Sequence, residues 1–564
     1  MKNSSLWIVL HKMRTPAIVI ILTYTISIIG LLLIDGVDDQ GNPYKMSIFD
    51  AFYFITYTAS TIGFGETPYE FTYPQKIWVT LCIYFTVIGW FYGVGALVSL
   101  LQNKMLIDEV SKLKFRWQVN SIKRKFIIIL GFNYVTSEIL KKVIESGIRS
   151  VVIEEDEYKA NNLILENYTP TVPILVSDAK DQNSLISAGI QNSNCKAVVS
   201  LFDDDELNLT VAVKSKLINK NVALAVKSSS SNHTENLQDV NVDIIVNIFE
   251  IMAKELKMAI NAPHLLKLEK WLYKIDNLSA RIPSIPKGKY LVCGYGRLGK
   301  HIFKVLKHED IELHFIEIDD NKAKNLTDEE KEVVTFANAD DKKNQIMADI
   351  RNTKAILAFT DNNTVNLSII ATAKKLNPDI ITMAREEKAD DFSIFTNAHI
   401  DYLFIPSKIM FNKTINALLN PLSDMFISSF VDQHEIWAQK LTRKLIETID
   451  EDPVAYELSI NKYESPQVYK ALSKKTEISL ELFITSLYNR QHQNNVIPLL
   501  LVRGGEKFML PDWNIKLELE DRILFACDKN AKNDIEYIAQ NAYEFQYALT
   551  GEERRLFSGF RKNK

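Results

Sequence analysis

Ser47-Ile-Phe-Asp-Ala-Phe-Tyr-Phe-Ile-Thr-Tyr-Thr58 runs directly into Ala59-Ser60-Thr61-Ile62-Gly63-Phe64-Gly65-Glu66, and a long apolar run lies on either side of this stretch. The apolar part is too short to cross a bilayer. It reads as a half-helix that enters the membrane, followed by a narrow loop that leaves it. Irregular backbone at membrane depth is tolerated only where protein buries it or where it lines a watery path. Gly63 and Gly65 permit backbone angles that other residues resist.

Working outward, Thr15 to Ile34 carries no charge, and at about 1.5 Å per residue it matches the hydrocarbon thickness of a bilayer. The second run, Ile77 to Leu101, is also uncharged and is long enough for a tilted helix. A signal peptide explains the first run poorly, because the stretch is too long and no small-residue cleavage site follows it. Lys2, Lys12 and Arg14 precede the first span, Lys104, Lys112, Lys114 and Arg116 follow the second, and the intervening loop opens with Asp35, Asp38 and Asp39. The positive-inside rule therefore puts both ends of the chain on the cytoplasmic side of a cell membrane, with lipid around the spans. No helix with regularly spaced arginines precedes the loop, so the expected drive for opening is something other than voltage.

The octet Ala59–Glu66 resembles the selectivity filter of potassium channels, usually written T-V-G-Y-G-D. The resemblance implies that Thr61, Ile62, Gly63, Phe64 and Gly65 supply the oxygens that replace the water of a K+ ion. It also implies four copies around one axis, a homotetramer. Ile62 replaces valine, Phe64 replaces tyrosine and lacks the phenol hydroxyl that braces the loop from behind, and Glu66 replaces aspartate. The second span would line the inner cavity. Its Gly89 is a candidate gating hinge, and Gly89-x-x-x-Gly93 reads equally well as a small-residue packing contact.

The remaining sequence is of ordinary globular composition, 47% hydrophobic and 24% charged over 564 residues, enough for roughly three or four domains. A formal net charge of −4 gives no basic footprint for nucleic acid. Cys82, Cys195, Cys293 and Cys527 lie far apart with no C-x-x-C pair, which points to buried, reduced thiols.

Behind a charged linker, one pattern occurs twice. The first copy has Phe126-Ile-Ile-Ile-Leu-Gly131, Val151-Val-Ile-Glu154, Ile174-Leu-Val-Ser-Asp178, and Ala197 to Asp203 with Asn208 beyond. The second has Tyr290-Leu-Val-Cys-Gly294, His314-Phe-Ile-Glu317, Phe336-Ala-Asn-Ala-Asp340, and Ala355 to Asp361 with Asn366 beyond. Glycine and glutamate stand 23 residues apart in both, and the alanine, aspartate and asparagine are spaced six then five in both. Such regularity predicts duplicated Rossmann-like α/β folds with mostly parallel strands. The pattern resembles the RCK (KTN, TrkA-N type) domains that regulate potassium channels and transporters. Val496 to Gly505, Pro511-Asp512 and Leu519 to Leu524 resemble the small α+β lobe that follows such domains.

In the second copy Gly294-Tyr295-Gly296-Arg297-Leu298-Gly299 fits G-x-G-x-x-G between strand and helix. Gly294 would make the turn, Gly296 admit a pyrophosphate to the helix N-terminus, and Gly299 let helix pack on strand. Arg297 is placed for a phosphate and Glu317 for ribose hydroxyls, which favours NAD or ADP over a 2′-phosphorylated nucleotide. Asp340 is expected near the adenine pocket. The first copy keeps Gly131 but has Asn133 and Thr136 where small residues are wanted, so it reads as a scaffold or as a site for another ligand. Calcium gates some relatives, and Asp203-Asp204-Asp205-Glu206 has the oxygen chemistry of a hard-cation site. A solvated acidic loop is the commoner origin of such a run, so calcium stays unassigned.

The expected architecture is a membrane α-helical pore domain with two transmembrane helices and a re-entrant pore helix (1–103) and a linker (104–125). Two Rossmann-like domains (126–262 and 289–425) follow, joined by a helical segment (263–288), and a C-terminal α+β lobe occupies 426–564. The expected function is a ligand-gated potassium channel subunit and not an enzyme. A non-conducting regulatory subunit of a potassium transporter and a membrane-anchored NAD-dependent oxidoreductase are the rival readings.

Overall fold

A computed structural model describes residues 4–281, 285–386, 395, 398–488 and 492–553; Lys2, counted above among the flanking charges, lies outside them. The chain divides into two compact units, Met1–Ser121 and Ile122–Lys564.

The first unit is helical: α1 (Ser4–Leu33), α2 (Ile48–Ala59), α3 (Tyr73–Leu101) and α4 (Lys104–Asn120). His11–Leu33 and Tyr73–Leu101 are long and apolar enough to cross a membrane. Side chains such as Ile21, Leu22 and Ile26 on α1 and Phe85, Ile88 and Phe91 on α3 are exposed on the single chain. α2 starts at Ser47, whose hydroxyl accepts the Asp50 amide at 3.1 Å. Its Ala51, Phe54 and Ile55 pack with Leu31, Val79 and Cys82 into one core. α3 starts with a reciprocal cap between Thr72 and Gln75 and with proline in its first turn. The stretch after the second span, expected as a linker, is helical as far as Asn120.

α1 and α3 meet through small residues. The Trp78 indole lies on Gly30 and donates to the Ser27 carbonyl at 3.1 Å. A Cβ on Gly89 would stand 3.0 Å from Thr23 Oγ1, and one on Gly93 2.5 Å from Ile20 Cδ1. α3 runs unbroken through both glycines. Gly89, the candidate hinge, thus sits where the packing alternative for Gly89-x-x-x-Gly93 would have it.

Among the described residues, the second unit carries two six-stranded parallel sheets and one four-stranded antiparallel sheet. The first orders its strands as Ile174–Val176, Arg149–Glu154, Phe126–Leu130, Cys195–Ser200, Ala223–Ser228 and Ile244–Asn247. The second repeats that order with Val334–Phe336, Glu312–Glu317, Lys289–Cys293, Ala355–Ala358, Ile381–Arg385 and Tyr402–Phe404. Strands buried on both faces read as continuous apolar runs, and every residue of Phe126–Leu130 is buried. In each sheet the order reverses beside the first strand, which opens a crevice at the carboxyl ends of the strands.

The halves exchange helices. Ile248–Asn261, which follows the last strand of the first sheet, packs on Arg297–Leu306, while Pro406–Leu419, following the last strand of the second, packs on Tyr134–Glu145. One hydrophobic core runs through both halves. Helices Pro421–Phe430 and Glu435–Thr448 then lead to the antiparallel sheet, where Gly504 and Gly505, at φ 55° and 94°, make the tight turn between Val496–Arg503 and Glu506–Met509. Arg503 grips the buried Asp521 with two hydrogen bonds of 2.8 Å. All four cysteines are buried and free.

Alanine at position 30 would place its Cβ 2.0 Å from the Trp78 ring. G30A is therefore expected to cost about 1–3 kcal/mol, read as a lower thermal midpoint of the detergent-solubilised protein. G95A, with nothing within 4 Å of the added carbon, should leave the midpoint unchanged.

Candidate functional site

The loop after α2 hangs from that helix. The Tyr57 carbonyl accepts the amides of Ile62 and Gly63 at 3.0 and 3.3 Å. The Tyr57 hydroxyl donates to the Glu66 carbonyl at 2.9 Å, and Tyr53 donates to the Glu66 carboxylate at 3.0 Å. The bracing that Phe64 cannot supply therefore comes from two tyrosines one turn apart on α2, with Phe64 set edge-on to the Tyr57 ring at 6.2 Å. That i,i+4 pair was readable in the sequence and was missed. Thr61, Gly63 and Gly65 are left-handed, at φ 61°, 66° and 74°, whereas Ile62 and Phe64 are not. Left-handed backbone suits the two glycines and is uncommon for threonine.

In the second α/β half, Gly294 ends its strand at φ 110°, and a Cβ there would lie 3.1 Å from the Phe359 carbonyl. A Cβ on Gly299 would lie 2.5 Å from the Gly294 carbonyl, so only glycine lets this helix sit so close to the strand. Gly296 is the N-cap of Arg297–Leu306 without any side-chain cap, and nothing lies within 4 Å of its Cβ position. The helix thus presents its unsatisfied first-turn amides to open space. That space is a cavity of about 690 Å³, lined by Gly294 to Lys300, Glu317, Asn338, Thr360, Arg385 and Phe249.

Glu317 faces this cavity already engaged. It accepts the Tyr295 amide at 2.7 Å and the Asp319 amide at 3.0 Å, and pairs with Lys322 at 2.8 Å. Burial pushes its carboxyl up, but Lys322 and the two amides outweigh burial and hold it below the usual range. The side chains of Tyr295 and Leu298 are buried, Tyr295 donating to Glu330 at 2.6 Å, so these two residues offer the cavity backbone. Asp340 does not end its strand, which stops at Phe336; the turn that follows puts Ala337, Asn338 and Ala339 at the cavity, with Asp340 next in the chain. Phe249, Lys322 and Arg385 were not anticipated. Arg385 could have been suspected from its place at the end of a strand, whereas Phe249 comes from the other half of the molecule.

Residues 18–103 match the ion channel family, and residues 127–248 and 290–406 each match the TrkA-N domain family. This chain joins an ion-channel domain to two TrkA-N domains. Potassium channel protein 1 of Methanocaldococcus jannaschii is 26% identical over 259 residues, 44% of this chain and 71% of that one. A Methanothermus fervidus protein is 22% identical over 245 residues, which are 43% of this chain and only 37% of that protein's length. Among solved structures, the GsuK channel aligns over 98% of this chain and 100% of its own at 12% identity, with a TM-score of 0.47.

The first TrkA-N domain shares the frame of the second but differs at the turn after its first strand. Asn133 caps its own helix by accepting the Thr136 amide at 3.0 Å. Phe202, at the place of Thr360, lies over Gly131, where an added Cβ would meet its ring at 2.5 Å. Glu154 accepts the Phe132 and Asp156 amides at 2.5 and 2.8 Å, just as Glu317 does for its counterparts. The repeated asparagines are also equivalent. Asn208 donates to the Phe202 and Lys227 carbonyls, and Asn366 to those of Thr360 and Arg385. The acidic run considered for calcium is committed to the fold: Asp203 pairs with Lys227, Asp204 caps a helix and Asp205 accepts from Ser229. Among the described residues no cluster of three or more His, Cys, Asp or Glu is arranged to hold a metal.

Because Glu317 titrates below the ordinary carboxyl value of about 4.3, the stability it contributes is present above that pH and lost as pH falls through its lowered value. K322M should therefore lower the thermal midpoint at neutral pH. The gap to wild type should close in strong acid, where both carboxyls are protonated. A gap independent of pH would show that Lys322 acts by packing.

Proposed function

We propose that this chain is one subunit of a homotetrameric potassium channel in a cell membrane, with both termini cytoplasmic, gated by an adenine nucleotide of the NAD or ADP type. One observation carries the conducting part. A braced loop with left-handed residues at 61, 63 and 65 follows a short helix between two helices long enough to span. Alternating left-handed residues turn successive carbonyls of Thr61 to Gly65 the same way, and four copies around an axis stack them as oxygen rings for a dehydrated K+ ion. The C-terminus of α2, which precedes the loop, carries the partial negative charge that favours a cation.

The regulatory part rests on the uncapped helix N-terminus at Gly296. In this reading Gly296 and the following amides take the phosphates, Arg297 adds charge, and the lone pair left on Oε1 of Glu317 accepts a ribose hydroxyl. A ligand shifts the channel only by its difference in affinity for the two states. Four equivalent sites, each preferring one state by about tenfold, together supply the roughly 10⁴-fold bias that moves a 1:99 equilibrium to 99:1. No such leverage is assigned to the first TrkA-N domain, where Phe202 lies over Gly131, and calcium has no assigned role.

Purified tetramer in liposomes should take up rubidium, stop when barium is added, exclude sodium, and change its rate with NAD or ADP. G63A should abolish uptake while the tetramer stays intact by size-exclusion chromatography. Sodium passing as readily as rubidium would overturn the potassium reading, and a rate indifferent to nucleotide would overturn the gating reading.

A further inference from the structure

The wall of the nucleotide crevice includes one residue from the other half of the molecule. Phe249 is the second residue of helix Ile248–Asn261, which leaves the last strand of the first sheet. Its backbone is fixed there: Asn247 caps the helix by accepting the Glu250 amide at 3.2 Å, and its own amide group donates to Thr234 at 3.2 Å. The Phe249 ring nevertheless sits in the second domain, 6% exposed, against the cavity beside Gly294 to Gly299.

Two guanidinium groups flank that ring. Arg297, the first residue of the uncapped helix, stands 4.7 Å from its centroid, and Arg385, the last residue of the strand Ile381–Arg385, stands 5.3 Å from it. The arginines come from opposite sides of the point where the strand order reverses, and both line the cavity. A phosphate accepts from both forks while the ring still covers their faces.

We propose that Phe249 is a positioning residue of the nucleotide site: it holds Arg297 and Arg385 for the phosphates and so makes the docking of the first domain's helix a condition of tight binding in the second. This deepens the nucleotide reading above and rests on it. By linkage, whatever tightens the crevice around a nucleotide also tightens the contact of helix Ile248–Asn261 with Arg297–Leu306. Occupancy is thereby felt by the first domain.

The test uses the full-length protein in detergent, with ADP and NAD as probes, and the variants F249L and F249Y. Leucine keeps an apolar side chain without a π face, and tyrosine keeps the face. Wild type should bind ADP, F249Y should bind within about twofold of it, and F249L should bind about tenfold more weakly. Hydrogen exchange across residues 248–261 should slow when ADP is added to wild type and F249Y, and should not change in F249L. Equal ADP affinity in F249L and wild type, or protection of 248–261 that survives in F249L, overturns the proposal while leaving the nucleotide site in place. Failure of wild type to bind either probe overturns the underlying reading, and the role of Phe249 with it.

Discussion

Backbone groups left over at the ends of regular elements must find partners, and in this chain a few polar side chains supply several of them at once. Glu154 and Glu317 each tie the turn after a first strand to the residue that follows a second strand. Asn208 and Asn366 each tie the loop after a fourth strand to the end of a fifth. These clamps lie on both sides of the switch point, so they fix the width of the crevice. In the ion-channel domain Tyr57 does the same work, holding both ends of a loop that has no regular structure of its own. Removing such a residue would leave buried donors and acceptors unmatched, which is costlier than losing one hydrogen bond.

The two TrkA-N domains show how little need change for one frame to diverge. Their strand orders coincide and their clamps coincide. Two of the differences stand at the turn itself: Asn133 in place of Gly296, and Phe202 in place of Thr360. One caps the helix with its own side chain, the other fills the space above the turn. The cap itself stabilises the fold, since a side chain satisfies an amide that would otherwise be left over at the helix start.

Much of this was legible in the sequence. The two long apolar helices follow from charge-free length, the short helix and loop between them from the shorter apolar run and its glycines, and the duplicated α/β order from spacings alone. The glycine geometry at Gly294 and Gly299 also follows from the motif. What escaped was everything set by tertiary placement. Asp340 lies in a turn because its strand stops at Phe336, four residues earlier than the spacing suggested. Phe249 reaches the crevice because a helix crosses between halves, which no local pattern announces. Lys322 and Tyr57 act across turns whose closing geometry depends on the folded loop. Gly89 has two readings in the sequence, hinge and packing contact, and its neighbour Thr23 belongs to another helix that local pattern does not place beside it.

The burial of all four cysteines bears on how the molecule can be watched at work. Cys195, Cys293 and Cys527 are each pushed up to about 12 by burial, so almost no thiolate forms near neutrality. Cys82 is packed beneath α2. The unmodified chain is therefore a quiet background for maleimide chemistry. A single cysteine introduced on an exposed helix would accept a fluorophore or spin label selectively, without first stripping the native thiols from the core.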